Sequence, residues 1–169
     1  AVVTRLVAVL DSRNSATQLR AAGALAVLSS RNLTYRSAIM EAGAIPPLVR
    51  ILGDGLRVEK DTPQERAAYV LADLARSSES KEEIVESEGI TPLVRMLSSP
   101  SQKAQNAAAA AIHLLSSNGD NKISIAQAGG IPRLVALIAA TENADGQAYA
   151  AAALRLLSTS PENKVEIIS

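Results

Sequence analysis

The stretch Ile90-Thr91-Pro92-Leu93-Val94-Arg95-Met96-Leu97 occurs again as Ile45-Pro46-Pro47-Leu48-Val49-Arg50-Ile51-Leu52 and as Ile131-Pro132-Arg133-Leu134-Val135-Ala136-Leu137-Ile138. A worn copy, Val3-Thr4-Arg5-Leu6-Val7-Ala8-Val9-Leu10, stands near the start, so the copies begin 42, 45 and 41 residues apart. Self-similarity at this period restricts the chain to a stack of short helical units. One such unit cannot bury its own apolar face; only its neighbours in the stack can cover it. The expectation is a single all-α solenoid over residues 1–169.

Within each period the local signals are helical. Val3, Leu6, Val7 and Leu10 follow the i, i+3, i+4, i+7 pattern of a half-buried helix. Pro46, Pro92 and Pro132 fall in the first turn of their copies, where a missing N–H costs no helical bond. Gly43 and Gly89 mark where a short preceding helix stops, and Gly129 holds the same place in the last copy. A longer helix follows each copy. Thr62-Pro63-Gln64-Glu65 and Ser80-Lys81-Glu82-Glu83 read as capping boxes; in the first, Thr62 accepts from the Glu65 N–H and the carboxylate reaches back. The units are a partial one over about 1–30, complete ones over 31–77, 78–118 and 119–160, and an opening helix over 161–169. The fourth unit is expected to start at Asp120-Asn121. Gly53 to Asp61 is longer than its counterparts and, with mixed charge, reads as a solvated connector. Aligning Ile167 with Ile125 leaves the last residue one column short of the first, with a stacking face bare at each end. Either a longer array or head-to-tail association of copies would cover those faces.

Composition narrows the chemistry. Hydrophobic residues reach 47% while aromatics are 2%, so the core must be built from Ala, Leu, Val and Ile. The run Ala107 to Ala111 suits it, since alanine favours helix and lets neighbouring helices approach closely. Seventeen basic and seventeen acidic side chains cancel, which argues against general nucleic-acid binding. There is no Cys, hence no disulfide framework, thiolate metal site or thiol nucleophile. No apolar run reaches the ~18 residues of a membrane helix, and the opening residues lack a signal-peptide pattern. The expected setting is cytoplasmic or nuclear.

The motif of a short helix, Gly, Ile-Pro-x-Leu-Val-x-Leu-Leu and a long helix ending Ala-Leu-x-x-Leu resembles armadillo repeats, most closely in Glu41-Ala-Gly-Ala-Ile-Pro-Pro-Leu-Val49. The resemblance covers essentially the whole chain. It implies a right-handed armadillo-type α-solenoid of three-helix repeats whose long third helices line a concave groove. It also implies the family activity, holding a partner protein or an extended peptide in that groove.

In family members that carry nuclear import cargo, the groove presents a Trp and, four residues on, an Asn in each repeat. Here the first column reads Gly23, Tyr69, Ala110, Ala152 and the second Val27, Asp73, Leu114, Leu156, so neither ladder exists. Binding of basic peptides by an import adaptor is thereby disfavoured as the alternative reading. The neighbouring columns hold Arg20, Arg66, Ala107 and Tyr149 one turn earlier, Ala26, Ala72, His113 and Arg155 between, and Ser30, Arg76, Ser117 and Thr159 one turn later. The expected partner-binding residues are Arg20, Arg66, Tyr69, Asp73, Arg76, His113, Leu114, Tyr149 and Arg155. Four Arg against one Asp point to an extended segment carrying Asp or Glu with apolar anchors, gripped by guanidinium forks.

Catalysis would have to rest on His113, the one His. No Gly-x-Ser-x-Gly elbow accompanies it, and one His without Cys makes a transition-metal site unlikely to assemble. Gly53-Asp-Gly55 leads into no phosphate-binding loop. The sequence therefore predicts no enzyme, no metal and no cofactor, and a protein or peptide partner in place of nucleic acid or membrane.

Overall fold

The computed structural model describes residues 2–54, 62–140 and 142–168. The connector expected at 53–61 falls outside them from Gly55 onward. Twelve α-helices make up the described residues. These are α1 (Val2–Val9), α2 (Ser15–Arg31), α3 (Leu33–Glu41), α4 (Ile45–Gly53), α5 (Pro63–Leu74) and α6 (Ser78–Glu86), followed by α7 (Ile90–Met96), α8 (Gln102–Leu115), α9 (Gly119–Gln127), α10 (Gly130–Ala139), α11 (Ala144–Leu157) and α12 (Pro161–Ile168). The long helices α2, α5, α8 and α11 pack side by side in that order, and α4, α7 and α10 each pack on the long helix that follows.

Alanine makes this spacing possible. Ala67, Ala68, Ala108, Ala109, Ala150 and Ala153 are fully buried where the long helices meet their neighbours. Of the run at 107–111, only Ala110 is left partly open. Leu48, Leu93 and Leu134, the same position in three copies, have no exposed surface. Each such leucine contributes roughly 1.5–3 kcal/mol by leaving water. In the worn first copy, Val7 and Leu10 are buried.

Helix starts are set by a repeated polar residue. Asn14, Asn32, Thr62, Ser77, Ser101, Asn118 and Asn143 each accept from a backbone N–H in the first turn of the following helix. Two expectations shift here. α6 is capped by Ser77, not by Ser80, which sits buried one turn in with its hydroxyl beside Ser77 Oγ and Met40 Sδ. α9 is capped by Asn118, ahead of the expected start at Asp120. In both cases a polar residue stood further upstream, and the cap belongs to the column shared with Asn32. At Thr62 the expected N–H bond from Glu65 forms at 3.2 Å. The buried Glu65 carboxylate accepts from Ser101 Oγ, the cap of the next long helix, at 2.6 Å. Asn143 Nδ2 donates to Gln105 Oε1 in the same manner at 3.1 Å. On the opposite edge, Asn121 Nδ2 and Asn163 Nδ2 donate to the carbonyls of Leu115 and Leu157 at 3.1 and 3.3 Å. These ties fix each unit's register on its neighbour at both edges.

The turn into α4, α7 and α10 needs one left-handed residue. Gly43 (φ 72°) and Gly129 (φ 78°) supply it, but in the middle copy Glu88 does so at φ 60°, not Gly89. Gly89 is needed for another reason: a Cβ there would lie 2.8 Å from the Ile84 carbonyl oxygen. The turn closes through Gly89 N–H to Ile84 O at 2.8 Å and Glu88 N–H to Val85 O at 2.9 Å, the paired bonds of a Schellman stop. A left-handed side-chain-bearing residue costs about 1 kcal/mol relative to glycine. Glu88→Gly is therefore expected to stabilise the fold by about 1 kcal/mol, read as a higher urea midpoint at unchanged m-value. Ala109→Leu should act oppositely, forcing the long helices apart at a cost of roughly 1–3 kcal/mol by the same measurement.

Candidate functional site

Among the long helices, α5 and α8 are flanked by long helices on both sides and α2 and α11 on one, and each keeps an uncovered surface. On α5 the stripe is Arg66, Tyr69, Asp73 and Arg76, spaced by three, four and three residues. The α8 stripe carries Ala110, His113, Leu114 and Ser117, and α11 presents Tyr149, Ala152, Arg155 and Leu156. Arg20 and Val27 are exposed on α2. Of the nine expected residues, Arg20, Arg76, Tyr149 and Arg155 are exposed and Arg66, Tyr69, Asp73, His113 and Leu114 half-buried, with Arg76 just past the end of α5. Two columns depart from expectation: Ala107 is buried at 3% and Ala72 at 8%, so neither presents surface there. Leu114 and Leu156 are half-buried, offering apolar edges, not exposed side chains.

Four Arg and one Asp stand among the expected residues of this face. Asp73 accepts from Ser29 Oγ of α2 at 2.8 Å, and its other oxygen stands 3.9 Å from Arg76 Nε. The single acid among the nine residues is thus already engaged within the protein. Burial pushes the Tyr69 hydroxyl up, with Glu65 and Asp145 adding to the effect and Arg66 opposing it. Asp145 belongs to α11, so its field reaches Tyr69 across the whole of α8. Burial holds His113 below the usual imidazole range, and Arg155 and Lys81 push the same way against a hydrogen bond with the Ala152 backbone. The charged groups acting on His113 are cations, whereas a catalytic base of the serine-hydrolase type is oriented by a carboxylate.

A second set of features went unnoticed in the sequence. A cavity of about 310 Å3 lies between α3 and the end of α5, lined in part by Arg36, Asp73 and Arg76. Another, of about 500 Å3, lies one unit further along, between α6 and the end of α8. Asp73 and Arg76 thus face this edge as well as the long-helix face. The available signal was a basic residue four positions after each short-helix cap, namely Arg36, Lys81, Lys122 and Lys164.

The model of the armadillo/beta-catenin-like repeat matches residues 77–117 and 119–159. Among curated proteins, the chain is 36% identical over 110 residues to U-box domain-containing protein 12 of Arabidopsis thaliana, covering 64% of this chain and 16% of that protein. It is 30% identical over 148 residues to the splicing regulator ARVCF of Mus musculus, covering 79% of this chain and 15% of that one. The chain therefore spans about a sixth of the length of these relatives. Among solved structures, an engineered protein superposes with a TM-score of 0.83 at 32% identity, over 99% of this chain and 67% of its own. A designed armadillo repeat protein in complex with the peptide (KR)4 superposes with a TM-score of 0.76 at 29% identity, over 92% of this chain and 64% of its own. With the repeated motif, the stacked helical triplets and these likenesses together, the chain belongs to the armadillo-repeat family.

Proposed function

We propose that this chain is a non-catalytic binding scaffold that holds an extended acidic and apolar segment of a partner protein along the open face of α2, α5, α8 and α11. The observation that carries this reading is the charge of that face. Arg20, Arg66, Arg76 and Arg155 stand along it, while Asp73, the acid among them, is tied to Ser29 and Arg76. The designed neighbour in complex with the peptide (KR)4 supports a charged peptide as the kind of ligand this architecture accommodates. In this chain the guanidinium groups are on the protein, so the complementary segment carries the carboxylates. Tyr69, Tyr149, Leu114 and His113 provide flat and apolar contacts between the charges.

The test is a pair of variants at opposite ends of the face. Arg66→Glu combined with Arg155→Glu should weaken binding of an Asp/Glu-rich peptide at least tenfold, about 1.4 kcal/mol, by fluorescence anisotropy at low salt. The same variant should gain affinity for a Lys/Arg-rich peptide. Unchanged affinity for both peptides would overturn the reading.

We also propose that copies associate head to tail. Val49, Val94 and Val135 occupy one column, and Leu52, Leu97 and Ile138 another. The first two of each set are buried at 7% or less, whereas Val135 is 51% and Ile138 38% exposed. What covers the inner members is the next unit, and the opposite end offers Val2, 71% exposed, and Leu33, 65% exposed. The expected outcome is a mass by light scattering that rises with protein concentration. A strict monomer at the highest soluble concentration would refute it.

A further inference from the structure

The two edge cavities are one structural feature repeated. Leu33, Arg36 and Met40 of the first occupy the positions of Ser78, Lys81 and Val85 of the second, and Arg76 and Glu79 those of Ser117 and Asp120. The edge formed by the short first helices therefore carries two similar pockets one unit apart, beside the open face of the long helices. Adjacent packed helices stand roughly 8–10 Å apart, and three residues of extended or polyproline-type chain span about 10 Å. A segment laid along this edge would place every third side chain at a pocket.

The pockets differ in charge for a reason visible in their ties. In the later units the basic residue of the short helix reaches a hydroxyl at the end of its long helix: Lys81 Nζ lies 3.2 Å from Ser117 Oγ, and Lys122 Nζ 2.7 Å from Thr159 Oγ1. In the first unit the same column holds Arg76, so Arg36 faces a second guanidinium where its counterparts face an acceptor. Arg36 Nε is enclosed, and no protein acceptor reaches it. Two acids line the pocket, Asp73, which already serves Ser29 and Arg76, and the exposed Glu79. Leu33, Met40 and Leu74 supply apolar walls. A carboxylate on a short aliphatic stem fits this pocket, its oxygens meeting two guanidinium groups. The second pocket has the opposite balance. Lys81 is committed to Ser117, and Glu82, Glu86 and Asp120 line the remainder.

We infer that this edge is a second, charge-graded docking surface for an extended partner segment with an acidic residue at the Arg36–Arg76 pocket and a basic residue three positions away at the Glu82–Glu86–Asp120 pocket. The surface shares Asp73 and Arg76 with the open face and is otherwise built from the short helices, on which Arg36, Glu82 and Asp120 lie.

The experiment uses the full chain and four fluorescein-labelled peptides of one Pro/Ala background, carrying Glu-x-x-Lys, Glu-x-x-Glu, Lys-x-x-Lys or alanines at the two positions. Anisotropy at low salt should rank Glu-x-x-Lys tightest, with the two like-charged peptides about tenfold weaker. Arg36→Glu should shift the preference to Lys-x-x-Lys, and Glu82→Lys with Asp120→Lys should shift it to Glu-x-x-Glu. These variants lie at exposed or half-exposed positions, and circular dichroism confirms that each is folded before titration. In the Arg66→Glu, Arg155→Glu chain, whose open face no longer favours carboxylates, Glu-x-x-Lys should still bind tightest of the four peptides, which separates the edge from the open-face reading. Loss of Glu-x-x-Lys binding in that variant, or equal affinity of all four peptides for the parent and the Arg36→Glu chain, would overturn the inference.

Discussion

Close side-by-side contact between the long helices is the constraint on which the other features depend. Methyl groups at Ala67, Ala68, Ala108, Ala109, Ala150 and Ala153 let the backbones approach without cavities, and no larger side chain would allow the same spacing. Because α5 and α8 are covered on both flanks by long helices, each has one stripe left for solvent, and the open face is a consequence of this packing.

Apolar stacking alone does not set register, since an alanine surface is nearly featureless along a helix. The polar ties at the two edges supply that information. On one edge Ser101 and Asn143, which cap their own helices, also bond Glu65 and Gln105 of the preceding ones. On the other, Asn121 and Asn163 satisfy carbonyls at the ends of α8 and α11. Glu65, Asn121, Asn143 and Asn163 are buried, so leaving them unpaired would cost about 1–3 kcal/mol each. The places where the repetition is broken are equally informative. Glu88 stands where Gly43 and Gly129 stand, and Arg76 stands where Ser117 and Thr159 stand. The first break strains a turn; the second leaves Arg36 without the hydroxyl its counterparts find.

The family resemblance and the side chains bear on different questions. Fold and the general capacity to hold a partner come with the armadillo architecture, which a chain covering 15–16% of its curated relatives shares with proteins of differing roles. Selectivity must come from what this chain places on the face. In the two columns that are tryptophan and asparagine in import carriers this chain has Gly23, Tyr69, Ala110 and Ala152, and Val27, Asp73, Leu114 and Leu156, so side chains on one scaffold can differ while the fold stays the same.

Much of this was legible beforehand because a repeat states its pattern several times over. The period, the proline starts and the alanine-leucine long helices determined an all-α stack and the stripes of Arg66, Tyr69, Asp73 and Arg76, since helical geometry turns spacing into a shared face. Helix starts at Ser77 and Asn118 were misplaced by a few residues, because Ser80 and Asp120 offer caps of similar chemistry and only the packing of the preceding helix selects between them. The partner of the Glu65 carboxylate, the left-handed turn at Glu88 and the edge pockets around Arg36 and Lys81 could not be read in one dimension. Each depends on residues tens of positions apart, or on a backbone contact such as Gly89 against Ile84, that exists once the helices have stacked.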